Sequence, residues 1–147
     1  MTVDRRLAFH EAGHAVIAYI LGLEVLEIEM SKNPAYVNIA DQADATIDIL
    51  FLFAGIMAEL KDDPKNIYYH EPSEHDQIEI NKYLWYIDTN FEIIARSHYY
   101  ITSSLKRFLD IPEVWAQITA LAKVLMNVDR MGNNELTPFL RTVEARA

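Results

Sequence analysis

Near the start of the chain, His10-Glu11-Ala12-Gly13-His14 has the residue types and the spacing that metal chemistry requires. Side chains four apart on a helix share one face, so both imidazoles can converge on a single ion. Glu11 is turned about a quarter turn away from His10, near enough to act on a water at that ion without occupying the ion itself. Neutral imidazole is a good zinc ligand, with Zn–N near ~2.0–2.1 Å, and a catalytic zinc takes three protein ligands and keeps its fourth position for water. After His14 come Ala15-Val16-Ile17-Ala18-Tyr19-Ile20, so no ligand follows on the same helix and the third must come from a distant segment. Asp76, Glu59, His70 and His75 are the candidates. The alternative is a pair of core histidines flanking a solvated glutamate. That arrangement needs a separate hydrogen-bond partner for each buried imidazole.

The elements that must position these residues are mostly helices. Val3, Leu7, His10, His14, Ile17 and Leu21 recur at three-four spacing, which predicts an amphipathic helix from Val3 to Leu21, ended near Gly22, with both histidines in its buried stripe. Glu24 to Met30 and Tyr36 to Ile39 alternate apolar and polar residues around the turn Ser31-Lys32-Asn33-Pro34, a short strand pair. Asp41 opens a helix that runs through Ala58 and Glu59 and is strongly apolar in its second half. Lys61 to Pro72 reads as a polar loop, and Ser73 starts a helix from Glu74 to about Asp88. Phe91 to Leu109, Pro112 to about Asp129, and Leu136 to Val143 complete the helical set, with Pro112 in a first turn and Gly132-Asn133-Asn134 as a break. No repeat or linker divides the chain, so residues 1–147 are expected to form one domain, mainly α with a small two-stranded β element.

Composition narrows the chemistry. The chain has 147 residues, no cysteine and a formal net charge of −9. Disulfides, a cysteine nucleophile and thiolate metal ligands are excluded, so a metal must be held by His, Asp or Glu. The acidic balance argues against a nucleic-acid partner, because phosphate binding needs clustered Lys and Arg and only Arg5-Arg6 and Lys106-Arg107 are adjacent. With four glycines, at 13, 22, 55 and 132, there is neither a dinucleotide fingerprint nor a phosphate-cradling loop. The longest apolar run, Ile49 to Ala58, is too short to span a bilayer, and no secretory signal opens the chain. A cytoplasmic protein is expected.

The sequence resembles the zinc peptidase domain of the FtsH-like ATP-dependent proteases. Phe9 to Val16 is similar to the H-E-A-G-H helix of that family. Ala54-Gly55-Ile56-Met57-Ala58-Glu59-Leu60 resembles its G-G-x-x-A-E-E helix, with the first Gly and last Glu changed. Pro72-Ser73-Glu74-His75-Asp76 lies where its G-A-x-N-D motif belongs and retains only the Asp. The closing helices, through Asn134-Glu135-Leu136-Thr137-Pro138-Phe139-Leu140, look like its helical tail. The resemblance implies a zincin-like helical domain in which His10, His14 and Asp76 bind Zn2+ and Glu11 is the general base. Read without the resemblance, Ser73-x-x-Asp76 is also a capping box. Glu59 reads either as an acceptor for a ligand imidazole N–H or as a solvated residue ending an apolar helix. Tyr68, Tyr69 and His75 are candidates for stabilising an oxyanion. His70 reads as a surface residue, and His98 with Tyr99-Tyr100 as packing.

Two functions follow from the resemblance. One is a zinc-dependent endopeptidase acting on peptides or unfolded protein. With only nine residues before His10, no ATPase module or membrane anchor is expected upstream, so an ATPase would act in trans. The other is a non-catalytic, peptidase-derived binding or regulatory module that docks to a protease or ATPase partner. The intact Glu11 favours the first, because a structural metal needs no base. Oligomerisation stays open.

Overall fold

Asp4 begins the first helix: its Oδ1 accepts from the Arg6 amide at 2.8 Å, satisfying a backbone donor that has no partner within the helix. The computed structural model describes residues 4–32, 34–40, 45–64 and 91–146. Helix α1, Arg5–Ile20, ends where Gly22 takes φ +87°. There the amide of Leu23 bonds the Ala18 carbonyl at 2.9 Å and the amide of Gly22 bonds that of Tyr19 at 3.0 Å, a Schellman closure that needs the left-handed residue glycine supplies.

Helix α1 is central rather than amphipathic. All residues from Ala8 to Ala18 are buried, so the expected stripe is in fact a whole circumference. The cause is tertiary: α2 (Ala45–Asp62), α4 (Pro112–Leu125), α5 (Asn133–Arg146) and the sheet all pack on it. Small residues at 8, 12, 13, 15 and 18 allow the close approach. Helix α3 (Phe91–Leu109) packs on α2 and turns Ile101, Leu105 and Leu109 inward, one turn apart. That orientation leaves Tyr99 and Tyr100 at 73% and 76% exposure, which corrects their reading as packing residues.

The strand pair is present as β1 (Val25–Glu29) and β2 (Tyr36–Ile39), antiparallel, with Glu29 opposite Tyr36 and Ile28 opposite Val37. A third strand, β3 (Arg130–Gly132), joins the other edge of β1, giving the order β2-β1-β3. The segment expected to finish a helix near Asp129 and then break instead leaves α4 at Leu125, turns, and pairs Met131 with Ile28. Three residues carry no period of their own, so their strand state comes from a partner about a hundred positions earlier. The Asp129 carbonyl holds the amides of Met30 and Ser31 at 2.8 and 3.2 Å, and the Arg130 guanidinium holds Glu27 at 2.7 Å.

The core lies around α1, where Phe9, Ile17, Ile28, Leu105, Leu121, Leu125 and Leu136 are each at most 2% exposed. Among the described residues, no helix is long and apolar enough to cross a membrane. The helix read from Ser73 to Asp88 lies outside the described residues.

Candidate metal centre

Helices α1 and α2 pack antiparallel, and a ladder of contacts fixes their register. At one end Arg5 grips Asp62 with two hydrogen bonds, of 2.9 and 2.7 Å. The same contact raises the Arg5 pKa, first through the hydrogen bond and then through Asp62's charge. One turn further in, Glu59 meets Arg6 at 3.5 Å through one oxygen and His10 Nδ1 at 2.5 Å through the other. Next, Gly13 lies against Ala54 and Ala58, and Gly55 lies against both imidazoles. Last, His14 Nδ1 meets the Phe51 carbonyl oxygen at 2.7 Å. Phe51, Gly55 and Glu59 are four apart, so a single stripe of α2 supports the pair from end to end.

These contacts set which nitrogen of each ring donates. A carbonyl oxygen can only accept, so His14 Nδ1 carries the hydrogen and donates it to Phe51. Glu59, with a guanidinium on its other oxygen, accepts from His10 Nδ1 in the same way. With Nδ1 donating in each ring, the neutral form of each imidazole has its lone pair at Nε2, and the two Nε2 atoms face each other at 2.9 Å. Lone pairs at that distance repel unless a proton or a cation sits between them. Two nitrogens on one tetrahedral zinc stand about 3.3 Å apart, within half an ångström of the observed spacing. The rings are inclined at 76°, with centroids 4.6 Å apart, and both residues are buried, at 5% and 4% exposure. The donor set fits a metal: two imidazole Nε2 atoms facing each other, each ring fixed from behind by an oxygen acceptor.

Glu11 is buried too, at 3% exposure, because α1 has no solvent face at its level. The reading of a solvated glutamate between two core histidines therefore does not describe this site. Glu59 is likewise buried at 6% and accepts from His10 Nδ1, so it is not a solvated helix end.

Two supporting residues escaped the sequence reading as parts of the site. Phe51 acts through its backbone carbonyl, which no side-chain pattern reveals. Gly55 was visible as an isolated glycine inside an apolar helical run, a recognised mark of close approach. Among the described residues no group of three or more His, Asp or Glu side chains forms a metal cluster. Asp76, His70, His75, Tyr68 and Tyr69 lie outside the described residues, as does the side chain of His98. Neither a protein-family model nor a curated protein sequence matches the chain.

Proposed function

We propose that this chain is a zinc-dependent peptidase domain of the FtsH-like class, hydrolysing peptide bonds in segments that are already extended. The observation that carries the reading is the His10–His14 pair: both Nδ1 atoms are committed to fixed acceptors and both Nε2 atoms are turned toward one point. Buried imidazoles kept only for packing need one partner each, and here the second nitrogen of each ring is also directed.

His10 and His14 hold the metal through Nε2, with Asp76 as the third ligand. Zinc in that position supplies a Lewis acid for the scissile carbonyl and lowers the pKa of a water towards ~7. Glu11 carries the proton. As the water oxygen bonds to the carbonyl carbon, Glu11 takes the released proton, and as the C–N bond breaks it passes that proton to the departing amine. Glu59 and the Phe51 carbonyl keep the two rings from rotating while charge changes around them. Folded proteins would reach such a site only through an unfolding partner, for which an ATPase is the reading. The setting we assign is the cytoplasm.

The test is elemental analysis of the purified chain beside Asp76→Ala, with peptide cleavage followed for the parent and Glu11→Gln. Expected are about one zinc per chain, loss of most of it in Asp76→Ala, and a fall in cleavage of roughly 10²–10⁴-fold in Glu11→Gln with zinc retained. A parent that stays metal-free when zinc is offered refutes the peptidase reading. A zinc-loaded parent whose cleavage is absent, or unchanged by Glu11→Gln, is a binding module instead.

A further inference from the structure

We infer that Gly55 is the residue that makes room for a metal at the imidazole pair, and so determines whether His10 and His14 form a metal centre or a closed hydrogen-bonded pair. The inference deepens the zinc reading above and rests on it.

A glycine in a helix interior is less favourable than alanine, so its presence calls for a local reason. Backbone conformation is not that reason, because Gly22 is the glycine with positive φ and Gly55 is not. The reason lies where its Cβ would be. A methyl group there would stand 2.5 Å from His14 Nε2, 2.7 Å from His10 Nε2 and 2.8 Å from His10 Cδ2. All three are ring atoms of the pair, and two are the atoms that would bind the ion.

Gly13, across the same helix contact, serves a different purpose. Its Cβ would strike the Ala58 methyl at 2.5 Å and the Ala54 carbonyl oxygen at 2.9 Å, so it sets the spacing of the two helices. At Gly55 the nearest atoms are instead side-chain atoms of the two imidazoles.

A methyl group at 55 leaves the rings two options. If they stay, it fills space in contact with both Nε2 atoms. If they swing away, they lose Glu59 and the Phe51 carbonyl, which hold them at 2.5 and 2.7 Å. Either way the two lone pairs no longer share an open point. Alanine at 55 should therefore remove metal binding while the helix, which prefers alanine, persists.

The experiment compares the full chain, Gly55→Ala, His10→Ala/His14→Ala and the triple variant His10→Ala/His14→Ala/Gly55→Ala. Zinc affinity is read by competition with a chromogenic chelator, Co2+ binding by its visible absorption, and folding by thermal melts of the metal-free proteins. Expected for Gly55→Ala is a cooperative melt lowered by no more than roughly 10 °C, zinc affinity lowered by at least about 100-fold, and loss of the Co2+ band. Zinc binding within about threefold of the parent overturns the inference. If Gly55→Ala does not fold, the triple variant decides. A fold like that of His10→Ala/His14→Ala assigns the clash to the imidazoles and supports the inference, whereas failure to fold overturns it. A parent that binds neither metal refutes the zinc reading itself, and the inference falls with it.

Discussion

Replacing Glu59 by Gln keeps the shape of a buried side chain and removes its charge, which isolates what that charge does for His10. Two contacts change. The His10 Nδ1 hydrogen bond, 2.5 Å long and buried at both ends, goes from a charged to a neutral acceptor. Hydrogen bonds to charged groups contribute about 1.5–3 kcal/mol against about 1 for neutral ones, so roughly 1 kcal/mol is lost. The Arg6 contact at 3.5 Å has one end 37% exposed and contributes at most about 0.5–1 kcal/mol after screening. The metal-free protein should lose about 1–2 kcal/mol, a fall in Tm of roughly 2–8 °C for a chain of this size. Zinc affinity should fall about 10–100-fold, because the amide can present its NH2 group to the ring and permit the wrong tautomer. Differential scanning calorimetry of the apo form and chelator competition of the zinc form measure the two effects separately. Unchanged Tm and unchanged zinc affinity together would refute the role assigned to Glu59. A lower Tm with unchanged affinity would reduce it to an ordinary buried ion pair.

Two further outcomes are expected. Stripping zinc with a chelator should lower Tm, since free zinc at a hundred times Kd stabilises by about 2.7 kcal/mol, or roughly 5–11 °C; a melt indifferent to chelator would mean that the folded state holds no zinc. Stability should also decline in acid through two carboxylates. The Arg130 hydrogen bond holds the Glu27 pKa below its ordinary 4.5, and hydrogen bonds from Lys61 and then Lys106 hold Asp110 below 3.8. A lowered folded pKa means stability that is present above the ordinary value and lost as pH falls through the folded one. Arg130→Gln should therefore flatten part of the acid limb of Tm against pH, and a limb parallel to the parent's would show that the β1–β3 pairing does not depend on this contact.

How much was legible in advance follows from how local each signal is. The H-E-x-x-H spacing and the Phe91–Leu109 helix are local patterns, and the structure has that helix at those bounds. So has β2, whose alternation repeats over four residues. The start of α4 was marked by Pro112, but its end was not. Its last turn yields to β3, whose pairing with β1 no local pattern encodes. For α1, periodicity reported one face because only the strongest apolar positions were counted, whereas alanine and glycine between them allow contact all round.

The sequence by itself determined the chemistry available: two imidazoles a turn apart, a carboxylate between them, and no thiol anywhere. It also determined most helices, because a helix is written in residues a few positions apart. Only the tertiary structure decided that Glu59 belongs to His10, that a backbone oxygen of Phe51 fixes His14, and that Gly55 leaves the space between them clear. Those partners lie 37 to 49 positions away along the chain, and they act through distance and direction, which a one-dimensional pattern does not contain. The packing of α2 antiparallel to α1 is what turns a spacing into a site.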